Sequence, residues 1–308
     1  MTSSLSAQIV ACETRPYDGE VGEPQASPGF RLTRRSFLGL SAASLGGVAL
    51  YAGEISRHEL SLEQHTLRLA RLPDAFRGMR IVQISDFHYA EYTEGWFLRE
   101  IVQHVNRLKP DMVLMIGDFI TYSPLPYSYA RRHMPQCAAI LSGIECPLRY
   151  ASLGNHDMTI GSAYVIGPLL DHGIPTLVNQ AVALERGGRR LWLAGLGSAC
   201  CDDADPAAAI PSAARSGNEP VIVMAHEPDI LPEVARYKAD LMLSGHTHGG
   251  QVRFPLIPPL DLPEYGRIYV EGLFRQGPTQ LYVNRGIGTV GVPFRLNCPP
   301  EITVLTLA

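Results

Sequence analysis

Short apolar runs and helix-like stretches alternate along the chain from about residue 58 onward. Residues 79–85 are rich in β-branched side chains, and residues 111–116 form a continuous apolar run, as is typical of a strand buried on both faces. Residues 96–108 carry apolar side chains at helical spacing. Similar patterns occur at residues 60–72, 148–153, 191–194, 221–225 and 239–244 for strands, and at 129–141 and 229–237 for helices. The alternation predicts an α/β protein.

The last third of the chain changes character. Its strand-like segments are separated by proline and glycine turns, and they lie at residues 251–254, 267–274, 279–283 and 302–307. Such spacing favours a second sheet, which we expect to be largely antiparallel. The predicted architecture is two packed mixed β-sheets flanked by helices.

The front of the chain has the form of an export leader. Residues 1–30 are polar and are predicted to be disordered, and Arg34 and Arg35 then precede an uncharged stretch at residues 39–53. Paired arginines before a weakly apolar segment are typical of a twin-arginine signal. The stretch is short and rich in glycine for a spanning helix. We therefore predict a leader at residues 1–53, cleaved or kept as an anchor, and a catalytic domain at residues 54–308; a marginal buried helix is the alternative reading of the stretch.

Composition narrows the class of protein. The chain has 308 residues, 46% of them hydrophobic, and a net charge of -4. This length suits one large domain, and the slightly acidic balance without a long basic run gives no reason to expect nucleic-acid binding. The six cysteines show no Cys-x-x-Cys spacing, so a structural zinc site is not expected.

Metal-ligating side chains follow successive predicted strands. These side chains are two aspartates, one asparagine and four histidines: Asp86, His88, Asp118, Asn155, His226, His246 and His248. Each alone would usually be a turn former, a helix cap or an ordinary histidine. Together, at strand ends and accompanied by Gly117, Gly154 and Gly245, they indicate a site for two divalent metals that generates a nucleophile from water and neutralises a phosphate.

These segments resemble the calcineurin-like metallophosphoesterases, whose pattern is D-x-H, GD, GNH[DE], H and GHxH. The resemblance spans residues 79–308, and residues 245–251, 284–288 and 294–302 are similar to a bacterial subgroup that is often exported or membrane-anchored. It implies a four-layer α-β-β-α sandwich. One departure is at residues 195–203, where the acidic pair of the expected Gly-hydrophobic-Asp-Asp turn is displaced by an insertion.

The resemblance also implies roles for the residues. One metal would be held by Asp86, His88 and His248, the other by Asn155, His226 and His246, and Asp118 would bridge them. The expected cofactors are two ions of Mn, Fe or Zn, with a bridging hydroxide as nucleophile. We expect His156 to protonate the leaving oxygen and Asp157 to orient the His156 imidazole, although a purely electrostatic contact of His156 with phosphate is the alternative.

Several alternatives remain at the level of function. The first hypothesis is a metal-dependent phosphoesterase acting on a phosphodiester or an envelope phosphate, exported to the periplasm or cell envelope by the twin-arginine machinery and either free or membrane-anchored. A second is a pyrophosphatase of the UDP-2,3-diacylglucosamine type in lipid A synthesis. A third, from another class, is a non-catalytic metal- or phosphate-binding envelope protein. Arg285 and Arg295 either contact phosphate or brace the C-terminal strands, and Tyr89 and Tyr122 either line the pocket or pack.

Overall fold

A computed structural model describes residues 33–122 and 126–308. The predicted disorder of residues 1–30 concerns a segment outside this range. The first helix, α1 (Arg34–Leu50), begins at the arginine pair and buries none of its residues. Helical turns continue from it, so that the run Arg34–His58 is long and apolar enough to cross a membrane by length and composition, a test that an export signal also passes. This helical run is longer than the uncharged stretch at residues 39–53, because it begins before that stretch and ends after it.

The first sheet has five strands. Their spatial order is β1 (Ser61–Leu67), β11 (Glu301–Leu307), β2 (Arg80–Ser85), β3 (Met112–Ile116) and β4 (Arg149–Ser152). The strands β2, β3 and β4 are parallel, and β11 runs parallel to β1 but antiparallel to β2. The last strand of the chain, β11, therefore lies between β1 and β2 in this sheet.

The second sheet has six strands. Their order is β5 (Gln180–Arg186), β6 (Arg189–Gly195), β7 (Val221–Met224), β8 (Leu241–Ser244), β10 (Thr279–Val283) and β9 (Gly272–Gln276). The four central strands from β6 to β10 are parallel, and an antiparallel strand pairs at each edge. Both sheets carry parallel strands whose carboxyl ends meet at one edge.

Three predictions about the second sheet are wrong. It is mixed with a parallel centre rather than largely antiparallel, and residues 302–307 pair in the first sheet instead. Residues 251–254 form no strand, since Val252 makes only an isolated bridge with Leu296. An apolar run shows that a strand exists, but its partner is set by tertiary packing that the run does not encode.

Helices cover the outer face of each sheet. They are α2 (Gly95–Leu108), α3 (Tyr127–Leu141), α4 (Asn155–Ile160), α5 (Ala163–Asp171), α6 (Pro206–Ala209), α7 (Ser212–Arg215) and α8 (Leu231–Arg236). In β3, Val113 and Met115 pack in the core below α2, α3 and α5, whereas Met112 and Leu114 pack between the sheets. A third core lies between the second sheet and α6, α7 and α8. The predicted four-layer sandwich of two mixed sheets between helices is confirmed.

Candidate metal centre

All seven predicted ligands lie where the carboxyl ends of the two sheets meet. Asp86 and His88 follow β2, Asp118 follows β3, and His226 follows β7. The chain leaving β4 delivers Asn155, and the chain leaving β8 delivers the remaining two histidines, His246 and His248. The rigid strands therefore hold in one cluster side chains that are far apart along the sequence.

One group of donor atoms comprises Asp86, His88 and His248. The Nε2 atoms of His88 and His248 are 3.0 Å apart, and His248 Nε2 is 3.4 Å from Asp86 Oδ1. Two ring nitrogens at this distance either share a proton in an N–H···N hydrogen bond or direct both lone pairs at one cation.

The second group comprises Asp118, His226 and His246. Asp118 Oδ2 is 3.1 Å from His226 Nε2 and 3.7 Å from His88 Nε2, which belongs to the first group. Its carboxylate therefore lies between the two groups, the position that a bridging ligand requires.

Two buried polar atoms in the centre lack hydrogen-bond partners among the described residues. They are Asn155 Oδ1 and His226 Nε2. A buried polar atom without a partner costs about 1–3 kcal/mol, and a cation would satisfy both atoms. The carboxylate, amide and imidazole donors contain no thiolate and suit Mn, Fe or Zn. The residues present thus fit two divalent cations.

Outer hydrogen bonds fix which ring nitrogen faces the centre. His226 Nδ1 is 2.9 Å from the carbonyl oxygen of Ile116, and His246 Nε2 is 2.7 Å from that of Glu264. Because a carbonyl only accepts, each of these nitrogens carries the proton, and His226 Nε2 and His246 Nδ1 are left as ligand atoms. His88 Nδ1 lies 2.7 Å from Thr121 Oγ1 in the same kind of support.

Two glycines permit carboxylates to approach the backbone closely. A methyl group on Gly154 would overlap Asp118 Oδ1, and one on Gly245 would overlap Asp86 Oδ2. The glycines in the GNH and GHxH segments are thus not merely turn formers. They leave the space in which the two carboxylates lie.

Five of the seven predicted ligands have a left-handed backbone, with φ between 43° and 73°. They are Asp86, His88, Asp118, His246 and His248. This conformation costs a non-glycine residue on the order of 1 kcal/mol or more and is concentrated at functional sites. The surrounding core therefore holds these side chains in place at the expense of local strain.

Burial and neighbouring charges set the protonation of the centre. Burial raises the pKa of Asp86 to about 6, against the charge of His226. Burial also opposes ionisation of Asp118, but the charges of His226 and His156 hold its pKa well below the usual range. Burial lowers the pKa of His248 well below its ordinary value. Burial opposes protonation of His226, but the charges of Asp118 and Asp86 raise its pKa well above the ordinary value. The metal-free centre therefore pairs an ionised Asp118 with a protonated His226, and a cation bound by His226 would displace that proton.

His156 lies beside the cluster in the first turn of α4. One of its ring nitrogens falls in a group with His88 and Asp118. The backbone N–H of Tyr122 donates to His156 Nδ1 at 3.4 Å, and the two rings are 4.3 Å apart. Burial lowers the pKa of His156, while the Asp118 charge acts in the opposite direction.

Asp157 does not contact the imidazole of His156 as predicted. Its fully buried carboxylate accepts backbone N–H groups from Asp118 at 2.7 Å, Phe119 at 3.0 Å and Gly154 at 3.0 Å. The first turn of α4 directs the side chain inward, toward the loop after β3, where these donors lack other partners. The expected orienting role is corrected: Asp157 ties the loop that carries Asp118 to the turn that carries Asn155.

The two arginines brace the C-terminal strands instead of reaching toward phosphate. Arg285 pairs with Glu63 and Glu301, both at 2.8 Å. The fully buried Arg295 donates to backbone carbonyls, among them that of Cys298 at 3.0 Å. Tyr122 lies at the centre, beside His156, whereas Tyr89 lines a separate cavity of about 260 Å³.

The departure at residues 195–203 borders the centre. Cys200 Sγ is 3.9 Å from His246 Nε2, and Cys201 Sγ is 3.9 Å from the carbonyl oxygen of Asn155. The buried carboxylate of Glu227 positions this segment by accepting the Ser198 hydroxyl and a backbone N–H. The position of Glu227 directly after His226 was the available signal.

A cavity of about 320 Å³ opens beside the metal centre. Besides His156 and the ligands, its wall is formed largely by apolar side chains and glycines. The described lining residues outside the predicted site are Thr247, Gly250, Gln251, Val252, Leu260, Asp261, Pro263, Val290, Gly291 and Val292.

The sequence profile of the calcineurin-like phosphoesterases matches residues 79–250, which contain every predicted ligand. The chain belongs to the calcineurin-like phosphoesterase family. It is similar to the metallophosphoesterase YkuE of Bacillus subtilis, with 32% identity over 90% of this chain and 98% of YkuE. It is similar in the same degree, 32%, to the phosphodiesterase YaeI of Escherichia coli, over 90% of this chain and 99% of YaeI.

A further relative carries a more specific name. The UDP-2,3-diacylglucosamine pyrophosphatase LpxG of Chlamydia muridarum is 29% identical over 79% of this chain and 90% of LpxG. Membership of the calcineurin-like family, together with the converging aspartates and histidines, makes this chain a metal-dependent phosphoesterase.

Proposed function

We propose that this calcineurin-like phosphoesterase hydrolyses a phosphodiester of the cell envelope. The observation that carries the proposal is the convergence of the predicted metal ligands on one cluster beside a cavity that Asn155, His246 and His248 line together with His156. The similarity to a protein named as a phosphodiesterase along nearly its whole length favours a diester over a monoester.

We assign the ligands in two sets joined by Asp118. One set is Asp86, His88 and His248, and the other is Asn155, His226 and His246. When bound there, two divalent cations supply a water of lowered pKa and neutralise charge on the phosphate. Asp157 fixes the position of the bridging carboxylate, because it accepts backbone N–H groups of the loop after β3.

His156 acts on the leaving group in this proposal. Its Nδ1 accepts the Tyr122 N–H at 3.4 Å only while the ring is neutral, so the acid role requires that protonation of the ring release this contact. A phosphate anion in the cavity adds to the effect of Asp118 and raises the His156 pKa, which counters the effect of burial. The resulting imidazolium is able to deliver a proton to the departing oxygen and returns to the neutral ring.

The proposed location is the cell envelope, reached through the twin-arginine machinery. The arginine pair at the start of α1 and the apolar run Arg34–His58 support this location. Replacing Arg34 and Arg35 together with lysine should keep the protein in the cytoplasm, as measured by cell fractionation. Unchanged export of that variant would refute the signal.

The alternative is a pyrophosphatase acting on a nucleotide-linked diacylglucosamine, favoured by the similarity to LpxG. The described lining residues include no lysine or arginine to hold a second phosphate group. This composition suits a single phosphodiester better than a pyrophosphate.

Hydrolysis of two chromogenic esters tests the proposed function. Purified protein with Mn²⁺ should hydrolyse bis(nitrophenyl) phosphate faster than nitrophenyl phosphate, and chelation should abolish both activities. UDP-2,3-diacylglucosamine forms the third arm of the assay. Preferred turnover of that substrate would support the pyrophosphatase, and a faster monoester reaction would contradict the diesterase.

A further inference from the structure

The cavity beside the metal centre is continuous with an exposed apolar loop. This rim loop, residues 253–260, has the sequence Arg-Phe-Pro-Leu-Ile-Pro-Pro-Leu. Leu256 is fully exposed, Leu260 is 70% exposed and Ile257 is 53% exposed. Such a cluster of large exposed apolar side chains is unusual for a surface that faces water alone.

The rim loop and the cavity share a wall. Leu260 belongs to both, and it lies in the cavity wall together with Val252, Val290 and Val292. These side chains provide an apolar surface next to the metal centre, where we propose that the phosphate group binds. A substrate that combines a phosphate ester with a hydrocarbon chain fits both parts at once.

The end of the N-terminal apolar run contacts residues 294–295, which are close in the chain to the cavity wall. The carbonyl of Ala52 accepts the Arg295 N–H at 3.0 Å, and Gly53 packs on the Phe294 ring. Residues 290–292 of the cavity wall directly precede this contact in the chain. From Ser36 to Gly53 the helical run carries no charged side chain, as is typical of a segment held in a membrane.

We propose that the rim loop inserts into the lipid bilayer and that the substrate is an amphipathic phosphodiester drawn from that bilayer. The hydrocarbon chain would lie along Leu260, Val252 and Val292, and the phosphate would reach the centre beyond His156. The inference rests on the proposed phosphodiesterase activity. It adds the class of substrate and the surface that presents it.

A pair of substrates with the same leaving group isolates the hydrocarbon chain. The full-length protein is reconstituted in phosphatidylcholine vesicles and assayed with Mn²⁺ on methyl nitrophenyl phosphate and on hexadecyl nitrophenyl phosphate. We expect the wild type to favour the hexadecyl ester in kcat/KM by at least about tenfold, since buried hydrocarbon contributes binding free energy. The absence of any preference would overturn the inference, whereas failure to hydrolyse either ester would overturn the proposed function itself.

A loop variant and a matched control locate the effect. The double substitution Leu256→Asp with Ile257→Asp should bring the preference close to unity and leave turnover of the methyl ester unchanged. Leu170→Asp changes a comparably exposed leucine (61%) in the last turn of α5, outside the cavity, and should leave the preference intact. A preference that survives the double substitution would contradict insertion.

Fluorescence gives a readout independent of catalysis. Ile257→Trp is introduced after Trp96 and Trp192 are replaced by phenylalanine, so that the rim loop carries the reporter. Brominated lipids in the vesicles should quench this tryptophan, because quenching requires contact with the acyl chains. An unquenched reporter, including one shielded by a second copy or a partner protein, would overturn the proposal.

Discussion

Proteins usually expose their polar side chains and bury their large apolar ones. The metal centre and the rim loop depart from this distribution in opposite directions. The centre buries Asp86, His88 and His226 completely, whereas the rim loop leaves Leu256 fully exposed. Buried polar groups and exposed apolar groups are both unfavourable unless something else satisfies them. Each region is therefore complete only with a partner from outside the chain: cations for the centre and, by our proposal, a bilayer for the rim loop.

The two regions also differ in how they are built. The centre is held by rigid strand ends, close glycines and strained backbone at positions such as Asp118 and His246. The rim loop lies between strands and is rich in proline. The reaction chemistry resides in the rigid part of the molecule, and by our proposal the exposed rim loop selects the substrate. Variants in the centre should therefore have the largest effects on turnover.

Loss of the bridging carboxylate should have the largest effect. Asp118→Asn keeps the shape of the side chain but removes the charge that joins the two ligand groups, so hydrolysis of bis(nitrophenyl) phosphate should fall at least about a thousandfold. Asp74→Asn, at a side chain that is 94% exposed, should leave the rate unchanged. A rate for Asp118→Asn within tenfold of the wild type would contradict the conclusion that the metal centre, and not the rim loop, governs turnover.

Substitution of His156 should have an effect that depends on the leaving group. With His156→Gln, a diester that expels an alkoxide should be hydrolysed about a hundred- to ten-thousandfold more slowly, the usual contribution of acid–base catalysis. The nitrophenyl ester should lose much less, because its leaving oxygen needs no proton. If kcat falls equally for both esters, the acid role of His156 is contradicted and an electrostatic contact with the phosphate is supported instead.

Asp157→Asn should weaken metal binding by about ten- to a hundredfold, as is typical of groups that position ligands. One carboxylate oxygen is replaced by an amide that cannot accept the N–H donors of the loop after β3. Asp229→Asn is a matched control, because the Asp229 carboxylate also accepts three backbone N–H groups, but outside the centre. That control should lower the melting temperature without changing Mn²⁺ affinity, as followed by titration calorimetry.

The stabilisation by metal should grow as pH rises. Burial raises the pKa of Asp86 to about 6 in the folded protein, whereas its pKa in the unfolded chain is near 4. The contribution of Asp86 to the stability of the metal-free protein is therefore fully present below pH 4 and is lost as the pH rises through 6. Above that pH the buried carboxylate is charged and ready to bind a cation. The increase in melting temperature on adding Mn²⁺ should therefore be larger at pH 8 than at pH 5. An increase that is equal at both values would argue against cation binding at Asp86.

Much of the centre could be predicted from the sequence because short motifs follow single strands. Residues 79–85 and 111–116 each indicated a strand, and the ligands lie directly after these strands. The local pattern did not show that β11 returns to the first sheet or that β7 and β8 belong to the second, since strand pairing depends on distant contacts. It also gave Asp157 the wrong partner, because a side chain adjacent in sequence to His156 points elsewhere in the first turn of a helix.

The rim loop was the least predictable part. Residues 251–254 have the composition of a strand, but the prolines that follow remove the backbone donors that a ladder needs. No motif marks the exposed leucines as part of the cavity. Their position depends on Glu264, which holds this segment at His246, and on Asp229, which accepts the backbone N–H groups after it.

Electron paramagnetic resonance of the Mn²⁺-loaded, full-length protein tests the central claim most directly. Neighbouring Mn²⁺ ions are exchange-coupled and differ in spectrum from isolated ions, and elemental analysis of the same sample gives their number. We predict two Mn²⁺ per chain with a coupled spectrum that is lost in the Asp118→Asn variant. A spectrum of isolated ions only, or a protein that stays metal-free in excess Mn²⁺, would contradict the account.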